Sequence, residues 1–131
     1  MLHRDIKPAN VLRVGNKWKV SDFGFAVRAR FGFKDRVNVG TPLYMAPESL
    51  KKSYYSCKSD IYSMGILLYE MLTGHTPNEA QTQKELLDNI TREVSLPKPV
   101  RNPCLSQFVS RACLISEAKR MGKDELMGFS F

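Results

Sequence analysis

The 131-residue chain has the length of one domain, and its 43% apolar and 25% charged residues are typical of a globular protein, which excludes disorder as the default. No apolar run approaches the ~18 residues of a membrane span, and because Arg4, Asp5 and Lys7 are charged we expect no secretory signal here. The net charge of +7 lies in the first half, where residues 1–60 hold 12 Lys and Arg against 5 Asp and Glu.

The first predicted element is a β-hairpin. The runs "NVLRV" (10–14) and "KWKVS" (17–21) are short and rich in Val, and Gly15 and Asn16 between them are turn residues. Residues 25–40 keep neither the period of a strand nor that of a helix, which predicts a surface loop.

Helices are predicted for the rest of the chain. A short one occupies residues 46–52. The run 58–74 predicts a helix that Ser59 or Asp60 caps and Gly74 ends, and it is apolar nearly all round between Ile61 and Leu72, which predicts a buried core helix.

Amphipathic patterns predict two further helices over 78–94 and 105–115, with a Pro-rich loop at 95–103 between them. A last short helix begins at residue 123. The predicted fold class is therefore mainly α with a small β-hairpin.

Five sequence motifs follow one another along the chain. They are "HRDIKPAN" (3–10), "DFG" (22–24), "GTPLYMAPE" (40–48), "SDIYSMGILLYEMLTG" (59–74) and "EAKRMGKDEL" (117–126). In this order they resemble the catalytic loop, the magnesium loop, the end of the activation segment, the central helix and the closing arginine element of eukaryotic protein kinases. One motif alone could arise by chance, but the ordered set is specific. Lys7-Pro8 and Thr41 are similar to the Ser/Thr form of the family, while Ile6 replaces its usual Leu.

The resemblance implies a protein-kinase-like C-lobe fragment, part of an α+β fold, over residues 1–131. Its parts would be the catalytic loop (2–12), the magnesium loop (22–24), the activation segment (22–48) and the helical subdomain (58–131). No G-x-G-x-x-G occurs in the sequence, so we expect the N-lobe to be absent. We therefore expect this chain alone to bind Mg-ATP weakly and to transfer no phosphate.

The resemblance also implies catalytic roles. Asp5 would accept the proton of the substrate hydroxyl or orient that hydroxyl, and Lys7 would place a cation by the transferring phosphoryl group. Asn10 and Asp22 would hold Mg²⁺, which bridges the phosphates of ATP. Thr41 would contact Asp5 and Lys7. The plain alternative for the two aspartates is a pair of turn residues.

Other residues of the motifs have supporting roles by the same resemblance. His3 is expected to be a packed histidine that braces the loop rather than a general base. Arg4 would meet a phosphate or an acidic group of the activation loop. Phe23 and Gly24 complete the magnesium loop, and Leu43 would border the pocket for the residue after the phosphoacceptor.

Three acidic residues remain. Glu48 would form a buried ion pair with Arg120, which anchors the activation segment. Asp60 would bond the backbone of the catalytic loop, and a plain N-cap is compatible with that role. Glu70 would either read a basic residue of the substrate or be a structural acid at a helix end.

Two departures from the usual kinase pattern lead to further expectations. Residues 25–40 contain no Ser, Thr or Tyr, so we expect no activating phosphate there, with Asp35 as a fixed negative partner of Arg4 or as a solvated residue. Asn78 replaces a common Phe or Trp, which predicts a lost apolar anchor. We also expect part of the 60–73 helix to form an exposed apolar patch.

The sequence therefore favours a Ser/Thr protein kinase that uses ATP and Mg²⁺ and acts on Ser or Thr of a protein substrate. The alternative is a catalytically inactive kinase-like binding module or an incomplete gene model. No motif supports a nucleic-acid binder, and neither nucleic acid nor a membrane span is expected. Three cysteines, an odd number without metal-ligand spacing, predict reduced thiols in an intracellular, cytoplasmic protein.

Overall fold

The computed structural model describes residues 1–28, 39–98 and 100–130, together with the backbone of residues 35–36. Helices dominate this part of the chain, as predicted. The helices and strands, in chain order, are β1 (Val11–Val14), β2 (Lys17–Val20), β3 (Asp35–Arg36), α1 (Pro47–Lys52), β4 (Tyr54–Tyr55), α2 (Cys57–Thr73), α3 (Gln83–Asn89), α4 (Pro103–Ala112) and α5 (Lys123–Met127).

Strands β1 and β2 form the predicted antiparallel hairpin. Val11 lies opposite Val20 and Val14 opposite Lys17, and Gly15 in the turn has a φ of 61°. This left-handed conformation suits glycine, which has no Cβ to clash with the backbone. The hairpin places the catalytic-loop motif before β1 and the magnesium-loop motif after β2.

A second antiparallel pair lies where only a loop was predicted. The backbone of Asp35 pairs with Tyr55, and that of Arg36 with Tyr54. Residues 29–34 and 37–38 of the predicted loop lie outside the described residues, and so does the side chain of Asp35, on which one expectation depended. Two-residue strands leave no periodic signal in a sequence, which explains why this pairing was missed.

Helix α2 begins earlier than predicted, because Ser56 caps it. Lys58 N donates to Ser56 Oγ at 3.2 Å, and Ser56 N donates to Ser59 Oγ at 3.1 Å, which is a reciprocal capping box. The prediction that Ser59 or Asp60 is the cap is therefore wrong. Gly74, with a φ of 86°, ends the helix as predicted.

The core is built around α2, which packs against α4. Gly65 permits a close approach, since a Cβ there would lie only 2.5 Å from Cys113 Sγ and 2.8 Å from Ala112 Cβ. The buried apolar side chains around these helices are Ala46, Ile61, Tyr62, Ile66, Tyr69, Phe108, Val109, Ala112, Cys113 and Met121.

The exposed apolar surface lies mainly on the hairpin and not on α2. The apolar residues between Ile61 and Leu72 are buried or half-buried apart from Met71, which is 71% exposed, so the predicted patch on the 60–73 helix is not found. Trp18 is 69% exposed. Other exposed apolar residues of the hairpin and of the turn after it are Leu12, Val14, Val20, Phe23 and Phe25.

Helix α3 is shorter than the predicted 78–94 helix. It starts after Thr82, whose Oγ1 accepts a hydrogen bond from Glu85 N at 3.2 Å. Helix α4 spans 103–112 rather than 105–115, because Asn102 caps it and Pro103 suits its first turn. In the part of the chain that the structure describes, no helix has both the length and the apolar character needed to cross a bilayer.

Candidate active site

Helix α2 holds the catalytic loop through one carboxylate. Asp60 Oδ2 accepts a hydrogen bond from His3 N at 2.7 Å, and Asp60 Oδ1 accepts one from Arg4 N at 2.9 Å. Arg4 has a φ of 70°, an uncommon conformation for a residue with a side chain. Burial raises the pKa of Asp60 although both backbone amides oppose the rise. The pair of bonds thus fixes the strained start of the loop.

Asp5, Lys7 and Thr41 form one hydrogen-bonded cluster. Thr41 Oγ1 lies 2.7 Å from Asp5 Oδ1, and Lys7 Nζ lies 2.9 Å from Asp5 Oδ2 and 2.8 Å from Thr41 Oγ1. Lys7 donates to both partners, and the Thr41 hydroxyl donates to the carboxylate. Asp5 is 6% exposed, so these short contacts are shielded from water.

The surroundings of Asp5 favour its ionised form. Burial alone would raise the pKa of Asp5, but hydrogen bonds from Lys7 and Thr41 and the charge of Lys7 together lower it below the ordinary value of 3.8. Asp5 is therefore a carboxylate at neutral pH, able to accept a hydrogen bond.

Asn10 is buried and closes the loop on Asp5. Its Nδ2 donates to Asp5 O at 2.8 Å and to Asp5 Oδ2 at 3.2 Å. Because Nδ2 faces Asp5, Oδ1 is the amide atom left to coordinate a cation. The Asn10 carbonyl accepts a hydrogen bond from Ser21 N at 2.8 Å, which joins the loop to the end of β2.

Asp22 lies at the surface, next to the end of the hairpin. It is exposed, with a φ of 58°, and its Oδ1 accepts a hydrogen bond from Gly24 N at 3.2 Å. The structure thus brings Asn10 into the Asp5 cluster and leaves the Asp22 carboxylate open to solvent.

The oxygen atoms of Asn10 and Asp22 fit Mg²⁺, a hard cation that prefers oxygen ligands and keeps several water molecules. Among the described residues, no group of three or more His, Cys, Asp or Glu could hold a metal ion. A magnesium site here would therefore rely on one carboxylate, one amide and ligands from outside the chain, as Mg²⁺ sites beside phosphates commonly do.

His3 connects the catalytic loop with the magnesium loop. Its Nδ1 accepts a hydrogen bond from Asp5 N at 3.3 Å, so Nε2 carries the proton and donates to Ser21 O at 2.9 Å. The ring also packs edge-to-face against Phe23, with centroids 5.1 Å apart. Both ring nitrogens are thus engaged, which favours a bracing role over a general base.

Arg4 lies between the turn after Phe23 and strand β4. Its Nε donates to Phe25 O at 2.5 Å, and its guanidinium lies 6.0 Å from the centre of the Tyr55 ring. The Tyr55 hydroxyl donates to Val39 O. Arg4 therefore connects Phe25, near the start of the activation segment, with strand β4, which pairs with β3 later in the same segment.

Glu48 and Arg120 form a bidentate ion pair beneath the end of the activation segment. Arg120 Nη1 lies 2.7 Å from Glu48 Oε1, and Nη2 lies 2.9 Å from Oε2. Arg120 is 1% exposed and also donates to the carbonyls of Lys58 and Leu114. Ser59 Oγ donates to Glu48 Oε1 at 2.9 Å, so the third residue of α2, whose Oγ also accepts from Ser56 N, belongs to this cluster too.

Sequence reasoning missed the contacts that hold Tyr44. Ser63 Oγ donates to Tyr44 O at 2.8 Å, and the Tyr44 hydroxyl donates to Glu70 Oε2 at 2.7 Å. Burial first, and then Glu70, raise the pKa of Tyr44 to about 12. Of the two roles expected for Glu70, a structural acid or a residue that recognises a basic substrate residue, this hydrogen bond fits the structural one. The only signal for these contacts was the helical spacing of Ser63 and Glu70.

Asn78 also differs from the prediction. The loss of an apolar anchor was expected at this position, but the Asn78 side chain is buried and makes polar contacts. It is 1% exposed, and its Nδ2 lies 3.4 Å from Tyr62 Oη and 3.5 Å from Leu43 O. A buried polar contact therefore occupies the position where an aromatic side chain was expected.

Comparisons with known proteins agree with this arrangement. The family model described as "Protein kinase domain" matches residues 1–131. "Probable serine/threonine-protein kinase nek2" of Dictyostelium discoideum is 38% identical over all of this chain and 32% of its own length. "Serine/threonine-protein kinase ATG1c" of Arabidopsis thaliana is 39% identical over 76% of this chain and 14% of its own.

Another relative carries a name that bears on activity. "Inactive serine/threonine-protein kinase PLK5" of Mus musculus is 34% identical over all of this chain and 22% of its own length. The chain therefore spans about a third or less of these curated relatives. The match over the full 131 residues, together with the ordered motifs, shows that the chain belongs to the eukaryotic serine/threonine protein kinase family.

Proposed function

We propose that the protein carrying this chain transfers the γ-phosphoryl group of ATP to a Ser or Thr hydroxyl of a protein substrate, with Asp5 as the catalytic carboxylate. The observation that supports this most is the Asp5 cluster, in which an ionised and shielded carboxylate contacts both a lysine and a threonine hydroxyl. Such a carboxylate can accept a hydrogen bond from a hydroxyl and orient its oxygen for attack.

Each residue of the cluster has a task in this proposal. Asp5 orients the substrate hydroxyl and takes up its proton as the new oxygen–phosphorus bond forms, while the bond between the γ-phosphorus and the bridging oxygen breaks and ADP leaves. Lys7, which already neutralises Asp5, also offsets negative charge on the transferring group. Thr41 hydrogen-bonds both the Asp5 carboxylate and the Lys7 ammonium group and so fixes their relative positions.

Asn10 and Asp22 would hold Mg²⁺ through their oxygen atoms. Mg²⁺ with ATP would supply the phosphoryl group and neutralise its charge. Asn10 is held rigidly by Asp5 and Ser21 N, while Asp22 is exposed, so Asp22 is the ligand that can adjust to an incoming ion.

The test replaces Asp5 by Asn in the protein that carries these residues at its natural length. We expect Asp5→Asn to lower phosphorylation of a Ser/Thr peptide mixture by about a thousandfold, since it removes the proton acceptor and keeps the shape. Asp88→Asn, at an exposed site on α3, is the matched control and should leave the rate unchanged. Equal rates for Asp5→Asn and wild type would refute the assigned role.

A second candidate is a catalytically inactive kinase-like module that binds partners. The relative named "Inactive serine/threonine-protein kinase PLK5", which matches the whole of this chain, favours it. The two candidates differ in nucleotide binding, so a fluorescent ATP analogue can be titrated with and without Mg²⁺. Mg²⁺-dependent binding that Asp22→Asn weakens supports the enzyme, and no binding at millimolar nucleotide supports the module.

We further propose that the protein acts inside the cell, in the cytoplasm. Cys57, Cys104 and Cys113 are all free, as expected for a reducing compartment. Cys113 is buried, and burial raises the pKa of its thiol to about 12, which makes it unreactive.

A further inference from the structure

Asn78 makes contacts that the catalytic cluster does not use. Its amide is almost fully buried, and Nδ2 reaches both Tyr62 Oη on α2 and Leu43 O in the activation segment. At 3.4 and 3.5 Å both hydrogen bonds are long. A buried amide without partners is costly, so these two acceptors explain how a polar side chain is tolerated at this position.

Leu43 lies next to the catalytic cluster along the chain. It is the middle residue of the Pro42–Tyr44 turn, which follows Thr41 directly. Thr41 is fixed by its short hydrogen bond to Asp5. The Leu43 carbonyl therefore belongs to a turn whose start is already fixed at the catalytic cluster.

The end of the same turn is held by α2. Ser63 Oγ donates to Tyr44 O, and the Tyr44 hydroxyl donates to Glu70. Asn78 adds a bond one residue earlier and is itself attached to α2 through Tyr62. The turn is thus held at two successive carbonyls, those of Leu43 and Tyr44. The Tyr44 carbonyl is held directly by α2, whereas the Leu43 carbonyl is held by Asn78, which lies between α2 and α3.

We infer that Asn78 is a positioning residue for substrate recognition, which acts by fixing the Leu43 carbonyl between α2 and the catalytic cluster. The inference rests on the proposed function, because a pocket at Leu43 for the residue after the phosphoacceptor has a role only if the protein phosphorylates a protein substrate. Asn78 touches neither Asp5 nor Lys7 in this arrangement, so it sets how a peptide is held and not the rate of the chemical step.

The experiment compares Asn78→Leu with Asn89→Leu in the protein at its natural length. The control is matched, since Asn89 Nδ2 also donates to a carbonyl, that of Glu79, outside the turn. We expect Asn78→Leu to raise KM for a peptide substrate about fivefold, the equivalent of one ordinary hydrogen bond, with kcat changed less than about twofold. Asn89→Leu should change neither.

Amide hydrogen exchange provides a readout that does not need activity. Exchange of the peptide covering residues 42–46 should become faster in Asn78→Leu and stay the same in Asn89→Leu. Tyr62→Phe keeps the ring beneath Arg120 but removes one acceptor of Asn78, so it should give a smaller change of the same sign. This second variant covers the case in which Asn78→Leu does not fold.

The outcomes separate this inference from the proposed function. If exchange at 42–46 is unchanged in both Asn78→Leu and Tyr62→Phe, Asn78 does not fix the Leu43 carbonyl, whether or not the protein transfers phosphate. Faster exchange with an unchanged KM overturns the recognition role. A wild-type protein without phosphoryl transfer refutes the proposed function, and faster exchange at 42–46 would then still support the anchor.

Discussion

Asp5 shows how neighbours outweigh burial at a single residue. Desolvation raises its pKa, yet Lys7 and Thr41 lower it below 3.8. A carboxylate with a lowered folded-state pKa contributes stability above its ordinary pKa, and that contribution is lost as pH falls through the lowered value. Asp5 therefore stays ionised across the physiological range.

The first prediction concerns this dependence on Lys7. We expect Lys7→Met to raise the pKa of Asp5, because the substitution removes both a hydrogen bond and a positive charge. The measurement is a carboxyl-carbon NMR titration. Lys51→Met, an exposed site on α1, is the control and should leave the titration of Asp5 in place. An identical midpoint in wild type and Lys7→Met would show that Lys7 does not set this pKa.

The buried ion pair supports a second prediction. Glu48→Gln should lower the free energy of unfolding by about 3–5 kcal/mol, because it leaves the buried guanidinium of Arg120 without its charge partner. The control is the surface pair of Arg111 and Glu125, 2.7 Å apart with side chains 48% and 38% exposed. Glu125→Gln should cost less than about 1 kcal/mol. Urea denaturation gives both values, and equal losses would contradict the prediction.

At the scale of elements, α2 organises the molecule. Asp60 near its start holds the catalytic loop, Ser63 and Glu70 further along hold the activation segment, and Gly65 receives α4. The helix thus combines the core with the support of the site. The polar residues of this largely apolar helix are thus the ones that hold the loops of the candidate site.

The third prediction tests the contact between α2 and α4. Gly65→Ala should destabilise the protein by about 1–3 kcal/mol, because the added methyl group would overlap Cys113 Sγ and Ala112 Cβ. This loss exceeds the gain of up to about 1 kcal/mol that alanine brings to a helix.

A double-mutant cycle supplies the control for this contact. Cys113→Ala removes the nearest atom, so Gly65→Ala should cost less in that background. Thermal or urea unfolding of the four proteins gives the coupling. A more stable Gly65→Ala protein would mean that the helices separate without cost.

At the scale of the whole molecule, the apolar surface is uneven. The hairpin carries exposed apolar residues on both faces, since Leu12 and Val14 alternate with Arg13 along β1 and Trp18 lies opposite Arg13. Surface of this kind favours association in water. The core around α2 and α4, by contrast, is closed.

The fourth prediction follows from this surface. The purified 131-residue chain should self-associate, and Trp18→Lys should shift it toward monomer in sedimentation velocity experiments. Met71→Lys removes an equally exposed but isolated apolar side chain on α2 and should have little effect. A wild-type chain that stays monomeric at high concentration, with a sharp reversible thermal transition, would contradict the prediction.

The sequence by itself determined the elements whose signal is local. The hairpin follows from two Val-rich runs around Gly15, and α2 from a continuous apolar stretch that Gly74 ends. The ordered motifs identified the residues of the candidate site, because their spacing is a property of the chain alone. The Glu48–Arg120 contact was expected only through the resemblance, since 72 residues separate the two.

Only the tertiary structure decided which of several similar residues takes which partner. Three residues near the start of α2 could cap it: Ser56, Ser59 and Asp60. Asp60 instead bonds the amides of His3 and Arg4, and Ser59 Oγ donates to Glu48. Ser56 is the one that accepts a hydrogen bond from the first turn. The pairing of β3 with β4 and the burial of Asn78 against Tyr62 depend on chain segments far apart in sequence. No local period encodes such contacts, because their free energy arises only when packing has brought the partners together.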